Sequence, residues 1–445
     1  MAFGNKILKY KDDILKDLAN VVAIDSVLAD GCEKPQKALE YMLNRGKEMG
    51  LVTKNVDNIA GHIEYGSGTK LCGVLTHLDV VPAGEGWSVP AFALTRKDGR
   101  IYGRGVADDK GSAVIAMYCL KALKDNNITA NSTIRLILGT NEETGMTDVQ
   151  HYFSKETLPE ISFTPDSDYG ICQCEKGILQ FTITGKNNSE ILISAIGGGA
   201  VNAVPDRTEF SINTNLKISE NSNGSFSVIN NGTETTVISK GIASHAMEPQ
   251  NGFNSITHAI AMLCSVLGEK QLGNLPDFIN KYIGTTTDGS LLGINQSDKQ
   301  SGCLTLNVGT ININKNSATA KIDIRYPVSA NYENIVNTIT NAATGMNLEM
   351  HIDSHLSPLN VPENSKVISI LQQAYSAITG QMPNLYSTGG GTYARSLGNK
   401  GVAFGPVFAN DYSNMHKPDE SLNEENFFLH AQICLEAMYK MFMEQ

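Results

Sequence analysis

Three short segments of this sequence bring histidine or carboxylate side chains to the ends of predicted strands. They are THLD at 76–79, GRGVADDKG at 103–111 and GTNEETG at 139–145. Residues two apart in a strand face the same side, so His77 and Asp79 are expected to project together. A carboxylate beside an imidazole can fix its tautomer while the other ring nitrogen binds a metal ion. Nitrogen and oxygen ligands of this kind suit Zn²⁺ or Mn²⁺, so the segments indicate a metal centre.

Each segment also has a purely structural interpretation. The histidine and aspartate of the first could be a polar pair that ends a strand. Asp108 and Asp109 stand before a predicted helix, where carboxylates cap the chain and interact favourably with the helix dipole. Glu142 and Glu143 could be a solvated charge pair. However, neighbouring glutamates on a loop point in different directions, so one could bind a metal while the other handles protons.

Two further segments complete the candidate set. PDSD at 165–168 follows the predicted strand 161–164, and MHKP at 415–418 lies near the C-terminal end of the sequence. One histidine, one bridging carboxylate and one terminal carboxylate per ion form a suitable environment for Zn²⁺ or Mn²⁺. No single motif is specific for a metal, but their joint order and spacing favour one.

The elements that must position these residues follow from the apolar pattern. Residues 71–81 and 132–139 are apolar and β-branched, which predicts buried strands, with a helix at 111–124 between them. This alternation is typical of an α/β sheet with parallel members, whose ligand-bearing loops lie beyond the carboxyl ends of the strands. Helices are also predicted at 6–24, 34–49 and 367–379.

A second pattern interrupts the first. The middle of the chain is richer in Asn, Ser and Thr and contains the hairpin signal Asn231-Gly232. Strands and helices are predicted there at 208–213, 235–239, 253–268 and 331–344. We therefore predict a mixed, mostly parallel α/β sheet with flanking helices and an inserted α+β domain. The predicted boundaries are 1–177 and 358–445 for the first domain and 178–357 for the insertion.

Composition bounds the class of protein. A chain of 445 residues exceeds one compact core, which favours two domains. The formal net charge of -11 argues against sequence-independent nucleic-acid binding, which needs a basic surface. We expect no secretory leader and no membrane-spanning segment, because the opening residues and the rest of the sequence show no sufficiently long apolar run, and the eight cysteines form no CxxC pair. We therefore expect a cytoplasmic protein that binds neither nucleic acid nor membranes.

Together the motifs resemble those of the M20 metallopeptidases. Over residues 5–440 the chain most resembles the dipeptidase V group (PepV-like, or Xaa-His dipeptidase). HLDVVPAGEGW at 77–87 and RGVADDKG at 104–111 are especially similar to that group. The resemblance implies a zinc-peptidase catalytic domain with an inserted lid domain.

The resemblance also implies a site for two divalent metal ions, zinc or manganese. One ion would bind His77, Asp108 and Asp166. The second would bind Asp108, Glu143 and His416, so Asp108 would bridge the two.

Catalytic roles follow from the same resemblance. Asp79 would orient His77, and Glu142 would be the general base that generates a hydroxide between the metals. The peptide bond between Asp108 and Asp109 would be cis, a rare state for a bond that does not precede proline.

Substrate-binding residues are implied in the inserted domain and in a glycine-rich segment. Asn202, His245 and Arg325 align with substrate-binding positions of the family, and His245 would stabilise the oxyanion. Arg325 could serve as a carboxylate fork, although without the resemblance a structural salt bridge is the favoured interpretation. The segment near the substrate's carboxylate would contain Gly390, Gly391 and Thr392.

The activity implied is hydrolysis of short L-dipeptides with a free amino terminus. The large inserted domain favours a monomer that supplies its own His245. The alternatives are an M20-type N-acyl amino acid deacylase or a tripeptide aminopeptidase. A non-catalytic binding protein would be expected to lack ligands or the base, whereas every expected ligand and Glu142 is present.

Overall fold

The chain forms two units, each with its own hydrophobic core. The computed structural model describes residues 2–214, 226–268 and 270–444. The first unit comprises Met1–Cys174, Leu359–Tyr386 and Gly391–Gln445. The second comprises Glu175–Pro358 and Ser387–Gly390.

Helices and strands alternate along the first unit, whereas strands dominate the second. The α-helices are α1 (Lys11–Val22), α2 (Glu33–Glu48), α3 (Lys110–Asp125), α4 (Thr147–Lys155), α5 (Ser255–Leu267), α6 (Asn274–Phe278), α7 (Tyr332–Thr344), α8 (Lys366–Thr379) and α9 (Glu424–Met443). The strands before residue 176 are β1 (Val52–Val56), β2 (Ala60–Gly66), β3 (Lys70–His77), β4 (Thr95–Lys97), β5 (Arg100–Tyr102), β6 (Ser132–Gly139), β7 (Ile161–Thr164), β8 (Ser167–Asp168) and β9 (Ile171–Glu175). The strands that follow are β10 (Gly177–Gly185), β11 (Leu192–Gly197), β12 (Arg207–Ile212), β13 (Phe226–Asn231), β14 (Glu234–Lys240), β15 (Ser297–Asp298), β16 (Gly302–Cys303), β17 (Thr305–Ile313), β18 (Ala318–Tyr326), β19 (Glu349–Leu356), β20 (Leu359–Asn360), β21 (Leu385–Thr388), β22 (Gly401–Ala403), β23 (Pro406–Val407) and β24 (Ser421–Asn423). Within the described residues, no helix combines the length and hydropathy needed to cross a lipid bilayer.

The main sheet of the first unit has a parallel centre. Its strand order is β1-β2-β6-β3-β7-β22-β9-β20, and β6, β3, β7 and β22 run parallel. The neighbours β2 and β9 join this centre antiparallel. The apolar helix α3 is buried along most of its length because it packs against α1, α9 and β3. The predicted mixed α/β sheet with flanking helices is therefore confirmed.

Strands that precede candidate residues end at one edge of this sheet. β3 lies between β6 and β7 and is parallel to both, with His77 paired with Gly139. The segments that follow these three strands therefore leave the sheet side by side. The sequence predicted a strand through Val81, but β3 ends at His77. Asp79 lies in the loop beyond, so the alternation of a strand does not determine its direction.

The second unit contains an antiparallel sheet covered by helices. Its strand order is β13-β14-β12-β11-β17-β18-β10-β19. The strands β12 and β14 bury every second residue, as an antiparallel sheet with one covered face requires. Residues from α5, α6 and α7 pack in the same core as the buried strand residues. The predicted α+β character of this region is confirmed, and β13 and β14 form the predicted hairpin at Asn231-Gly232.

Candidate active site

Asp108 lies between two histidines in the first unit. Its Oδ1 is 2.8 Å from Nε2 of His77, and its Oδ2 is 2.9 Å from Nε2 of His416. Oε2 of Glu143 is 3.2 Å from the same His416 nitrogen, and Oδ2 of Asp166 is 3.7 Å from Nε2 of His77. His416 is the exposed member, with 55% of its side chain accessible, whereas the other four are largely buried. The fold thus brings together the five side chains that the sequence suggested as metal ligands.

The donor atoms of this cluster fit divalent cations. Two groups of three side chains each offer three donor atoms within 4.8 Å of one another. The first group is His77, Asp108 and Glu143, and the second is His77, Glu142 and Asp166. Imidazole nitrogen and carboxylate oxygen are ligands that Zn²⁺ and Mn²⁺ accept. A carboxylate with one oxygen towards each histidine is also suited to bridge two ions. The residues present can therefore hold a pair of divalent metal ions.

Burial and crowding of the carboxylates shift several pKa values. Burial, followed by the charge of Asp108, raises the pKa of Asp166 to about 8. Burial and the charge of Asp166 raise the pKa of Glu142 well above 4.5. Hydrogen bonds with Asp108 and Glu143 raise the pKa of His416 to about 11. A bound cation would stabilise the ionised carboxylates, because opposite charge favours the charged form.

Asp79 makes contacts that differ from those the sequence suggested. Its carboxylate oxygens accept the main-chain N–H groups of Glu142 and Glu143, each at 3.1 Å. Nδ1 of His77 is 2.9 Å from the main-chain carbonyl of Asp79 but 3.5 Å from its Oδ1. A carbonyl at Nδ1 favours the neutral tautomer that leaves Nε2 as a metal ligand. The main chain of Asp79 therefore orients His77, while its side chain holds the glutamate loop.

Sequence reasoning missed a second carboxylate that holds this loop. Oδ2 of Asp148 accepts the N–H groups of Thr140 at 2.6 Å and Asn141 at 2.8 Å, and it accepts the hydroxyl of Tyr393 at 2.5 Å. The next two N–H groups along the chain donate to Asp79. Four successive N–H groups thus donate to two buried carboxylates. The available signal was an acidic residue shortly after the motif, in what the structure shows to be the first turn of α4, and such a residue resembles ordinary capping.

A buried glutamate near His416 was also missed. Glu420 is fully buried, although Lys417 and Asp419 just before it are residue types typical of an exposed loop. Its contacts reach the loop that carries the bridging aspartate. In that loop the 108–109 peptide bond is cis, as the resemblance implied.

Asn202 and His245 lie on paired segments of the second unit. Ala203 and His245 form an isolated antiparallel bridge, and the N–H of Ala246 donates to the carbonyl of Asn202 at 2.9 Å. Both candidate side chains are exposed. Nδ1 of His245 accepts the N–H of Met247 at 3.1 Å, so the neutral imidazole carries its proton on Nε2.

Arg325 forms the structural salt bridge that the sequence left open. Its Nε and Nη2 donate to the two carboxylate oxygens of Asp323 at 2.6 and 2.9 Å, and both residues are buried. Its Nη1 donates to the carbonyl of Gly389 at 2.9 Å. Two of the guanidinium donors are therefore already bound by the carboxylate of Asp323, which lies on the same strand, β18. The remaining contact holds the start of the glycine-rich segment.

The glycine-rich segment changes unit within its length. Gly390 closes the second unit and Gly391 resumes the first. The N–H of Gly390 donates to Oγ1 of Thr388 at 3.0 Å. Thr392 is buried, and its hydroxyl accepts the N–H of Ala394 at 3.1 Å to cap the following 3-10 helix. The side chain of Thr392 thus has a local structural partner.

Clusters of histidine and carboxylate at a strand edge are typical of hydrolases that activate water with divalent cations. Known proteins narrow this class further. The model of Peptidase family M20/M25/M40 matches residues 73–440, so the chain belongs to that family and is a peptide-bond hydrolase.

Relatives and solved structures extend over nearly the whole chain. A Bacillus subtilis protein named "Putative dipeptidase YtjP" is 34% identical over 467 residues, which cover 98% of each chain. The dipeptidase Dug1p of Saccharomyces cerevisiae has a TM-score of 0.64 at 13% identity, covering 100% of this chain and 98% of its own. A Bacillus subtilis protein described as a dinuclear metal binding peptidase of the M20 family has a TM-score of 0.54 at 11% identity. The match covers 98% of this chain and 99% of that protein. The two structural likenesses show a shared fold.

Proposed function

We propose that this protein is a metal-dependent dipeptidase that cleaves short L-dipeptides with a free amino terminus. The carrying observation is the buried cluster around Asp108, which offers one carboxylate oxygen to each of two histidines. Family membership supports a peptide bond as the target. The names of the Bacillus subtilis relative and of the Saccharomyces cerevisiae neighbour, both called dipeptidases, support a dipeptide as the substrate.

The first unit would hold two divalent cations, zinc or manganese. His77, Asp108 and Asp166 would bind one ion, and Asp108, Glu143 and His416 the other. When bound, such ions polarise a carbonyl oxygen and lower the pKa of water towards neutrality. The short distances from His77 to Asp108 and Asp166, and from His416 to Asp108 and Glu143, support this assignment.

Glu142 would be the general base. Its carboxylate would accept a proton from the attacking water and later deliver it to the nitrogen of the leaving amine. The water oxygen bonds to the carbonyl carbon, the C–N bond breaks, and a carboxylate and an ammonium group form, so that both protons of the water end on the amine. Proximity to His77 and Asp166 supports this role, as does the bond from the Glu142 N–H to Asp79. Asp79 would act by positioning this base and His77.

The second unit would bind substrate. Nε2–H of His245 is proposed to donate to the scissile carbonyl as negative charge develops, which is worth about 3–4 kcal/mol for a well-placed donor. Asn202 would contact the substrate from the paired segment. Arg325 would act through the carbonyl of Gly389 that it holds. The adjacent segment Gly390, Gly391 and Thr392 would lie near the substrate's carboxylate.

We further propose that one chain provides the whole site. The first unit would be catalytic and the second would act as a lid. The size of the second unit, Glu175–Pro358 with Ser387–Gly390, supports this proposal, because the family resemblance links a large inserted domain to a monomer that uses its own His245.

The experiment that tests this function measures release of free amino acids from dipeptides, tripeptides and N-acetyl amino acids. The chain is stripped of metal and then refilled with Zn²⁺ or Mn²⁺. We expect cleavage of free-amine dipeptides only after refilling. Cleavage of acetylated amino acids instead would favour a deacylase, and preference for tripeptides would favour a tripeptide aminopeptidase. Inactivity towards every substrate would contradict the enzymatic proposal.

A further inference from the structure

A buried glutamate collects the main-chain N–H groups of the loop that carries Asp108. Oε1 of Glu420 accepts N–H bonds from Gly105 at 3.0 Å, Ala107 at 2.9 Å and Asp108 at 3.3 Å. The main-chain carbonyl of Glu420 also accepts the N–H of Gly103 at 3.0 Å. Three main-chain N–H groups that donate to one carboxylate oxygen define the path of a loop. The position of Asp108 therefore depends on Glu420.

The second oxygen of the same carboxylate pairs with a buried arginine. Nη1 of Arg104 is 2.6 Å from Oε2 of Glu420, and each side chain is 1% exposed. Nη2 of Arg104 donates to the carbonyls of Pro82 and Ala83, both at 3.2 Å. These carbonyls belong to the loop that follows β3. The pair thus joins three segments of the first unit.

The third of these segments contains His416, four residues before Glu420. His416 has φ +62°, a conformation that residues other than glycine seldom adopt, so its backbone needs support from its surroundings. Glu420 ties this segment to the Asp108 loop, and Oδ2 of Asp108 is 2.9 Å from Nε2 of His416. Glu420 therefore connects the two segments that carry Asp108 and His416, the residues that would share one metal ion.

We propose that Glu420, supported by Arg104, is a positioning residue that sets the spacing between Asp108 and His416. The affinity of the centre for the ion between them then depends on Glu420. This inference rests on the metal centre of the proposed function. Outer residues that orient metal ligands typically change metal affinity by about 10- to 100-fold when they are replaced.

A buried ion pair elsewhere in the unit provides a matched control. Asp17 is 2% exposed, its Oδ2 accepts from Nη2 of Arg45 at 3.0 Å, and Tyr118 donates to it at 2.7 Å. These contacts connect α1, α2 and α3. Asp17→Asn and Glu420→Gln therefore make the same chemical change in a buried, arginine-paired carboxylate. Both should lower Tm, but only Glu420 touches a loop that carries proposed ligands.

The test titrates the metal-stripped full chain and both variants with Zn²⁺ by calorimetry and records the visible spectrum of the Co²⁺-loaded forms. We expect Glu420→Gln to bind one Zn²⁺ equivalent about 10- to 100-fold more weakly than the wild type and to change the Co²⁺ spectrum. Asp17→Asn should keep the wild-type affinity and spectrum. A role limited to stability would change Tm in both variants and the Zn²⁺ affinity in neither.

Equal Zn²⁺ affinity in the wild type and Glu420→Gln would overturn the inference, while metal-dependent cleavage by the wild type would still support the proposed function. A wild-type chain that binds no Zn²⁺ would contradict both. If Glu420→Gln does not fold, Arg104→Lys provides the second test, because lysine keeps the charge but loses the planar fork. Unchanged Zn²⁺ affinity in that variant would also overturn the inference.

Discussion

The candidate residues of the two units differ in how far the fold fixes them. In the first unit, Asp108 contacts two histidines, and the glutamate loop is held by buried carboxylates that include Asp79. In the second unit, Asn202 and His245 are exposed. Arg325 is buried but engaged with a neighbouring aspartate. The candidate residues of the first unit are thus held by contacts within that unit, whereas Asn202 and His245 lie at the surface of the second.

The difference has a physical cause. Buried ionisable groups are costly unless hydrogen bonds and charges around them are arranged in advance, so their loops need fixed partners. Exposed side chains are solvated until a substrate binds. Substitutions of the proposed metal ligands in the first unit should therefore lower metal content, whereas substitutions in the second unit should alter turnover with metal retained.

Replacement of the bridging carboxylate should have the largest effect. Asp108→Asn removes the charge that faces both His77 and His416, so bound metal should fall below two ions per chain and dipeptide cleavage should become undetectable. Elemental analysis and an amino-acid release assay check this. The exposed Asp12→Asn provides the control and should match the wild type. Full metal content and activity in Asp108→Asn would contradict the assigned centre.

Replacement of the proposed base, Glu142, should lower the rate of hydrolysis without removing metal. Glu142→Gln should lower kcat by about 10²- to 10⁴-fold, because amides do not accept and return a proton at neutral pH. Metal content should stay at the wild-type value. The same substitution at exposed Glu160 is the control for kcat. Substantial activity in Glu142→Gln would show that another group takes the proton.

His245→Ala tests the second unit. We expect kcat to fall by about 10²- to 10³-fold, as for loss of one donor to a developing oxyanion. The metal content should not change. The exposed His351 of the same unit gives a matched His→Ala control with wild-type kcat. A loss of metal in His245→Ala, or unaltered kcat, would remove the contrast between the two units.

The salt bridge of Arg325 predicts an effect mainly on stability. Asp323→Asn leaves a buried guanidinium without its charged partner, which typically costs about 3–5 kcal/mol in free energy of unfolding. Urea unfolding followed by circular dichroism measures this. A cost below about 1 kcal/mol would indicate that Arg325 is available as a fork for a substrate carboxylate.

His430 should give a smaller, pH-dependent effect outside both regions. Its burial lowers the pKa of the imidazole to about 3, and the hydroxyl of Tyr169 lies 2.8 Å from Nδ1 within hydrogen-bond distance. Because the folded pKa lies below the unfolded value of about 6.5, the stabilisation is present above pH 6.5 and is lost as the pH falls towards 3. Between pH 6.5 and 5 the wild type should lose about 2 kcal/mol more than His430→Asn. Equal losses of unfolding free energy in the two proteins would contradict this prediction.

Much of the fold was predictable because its signals are local. β6 and β7 have the predicted bounds, since each is an apolar run in the buried parallel centre of the sheet. The opening helix, predicted at 6–24, begins instead as a 3-10 helix at Phe3–Tyr10 before α1. Periodicity cannot distinguish the two helix types over so short a stretch.

The supporting residues of the site were not predictable in the same way. Asp148 and Glu420 look like surface acids in their local sequence, and their N–H partners are identified only by tertiary structure. The partner of Arg325 was different, because Asp323 lies two residues earlier on the same face of a strand. Resemblance to a family supplied the candidate ligands, but the sequence alone did not show what holds them.

We propose that the cluster around Asp108 binds two divalent ions and that dipeptide hydrolysis depends on them. The most direct test titrates the metal-stripped wild type with Zn²⁺ while hydrolysis of L-Ala-L-Ala is followed. We expect no hydrolysis at the start and a rise that reaches its plateau at two Zn²⁺ equivalents per chain. Hydrolysis that persists in the stripped chain, or no hydrolysis at any Zn²⁺ or Mn²⁺ concentration, would contradict it.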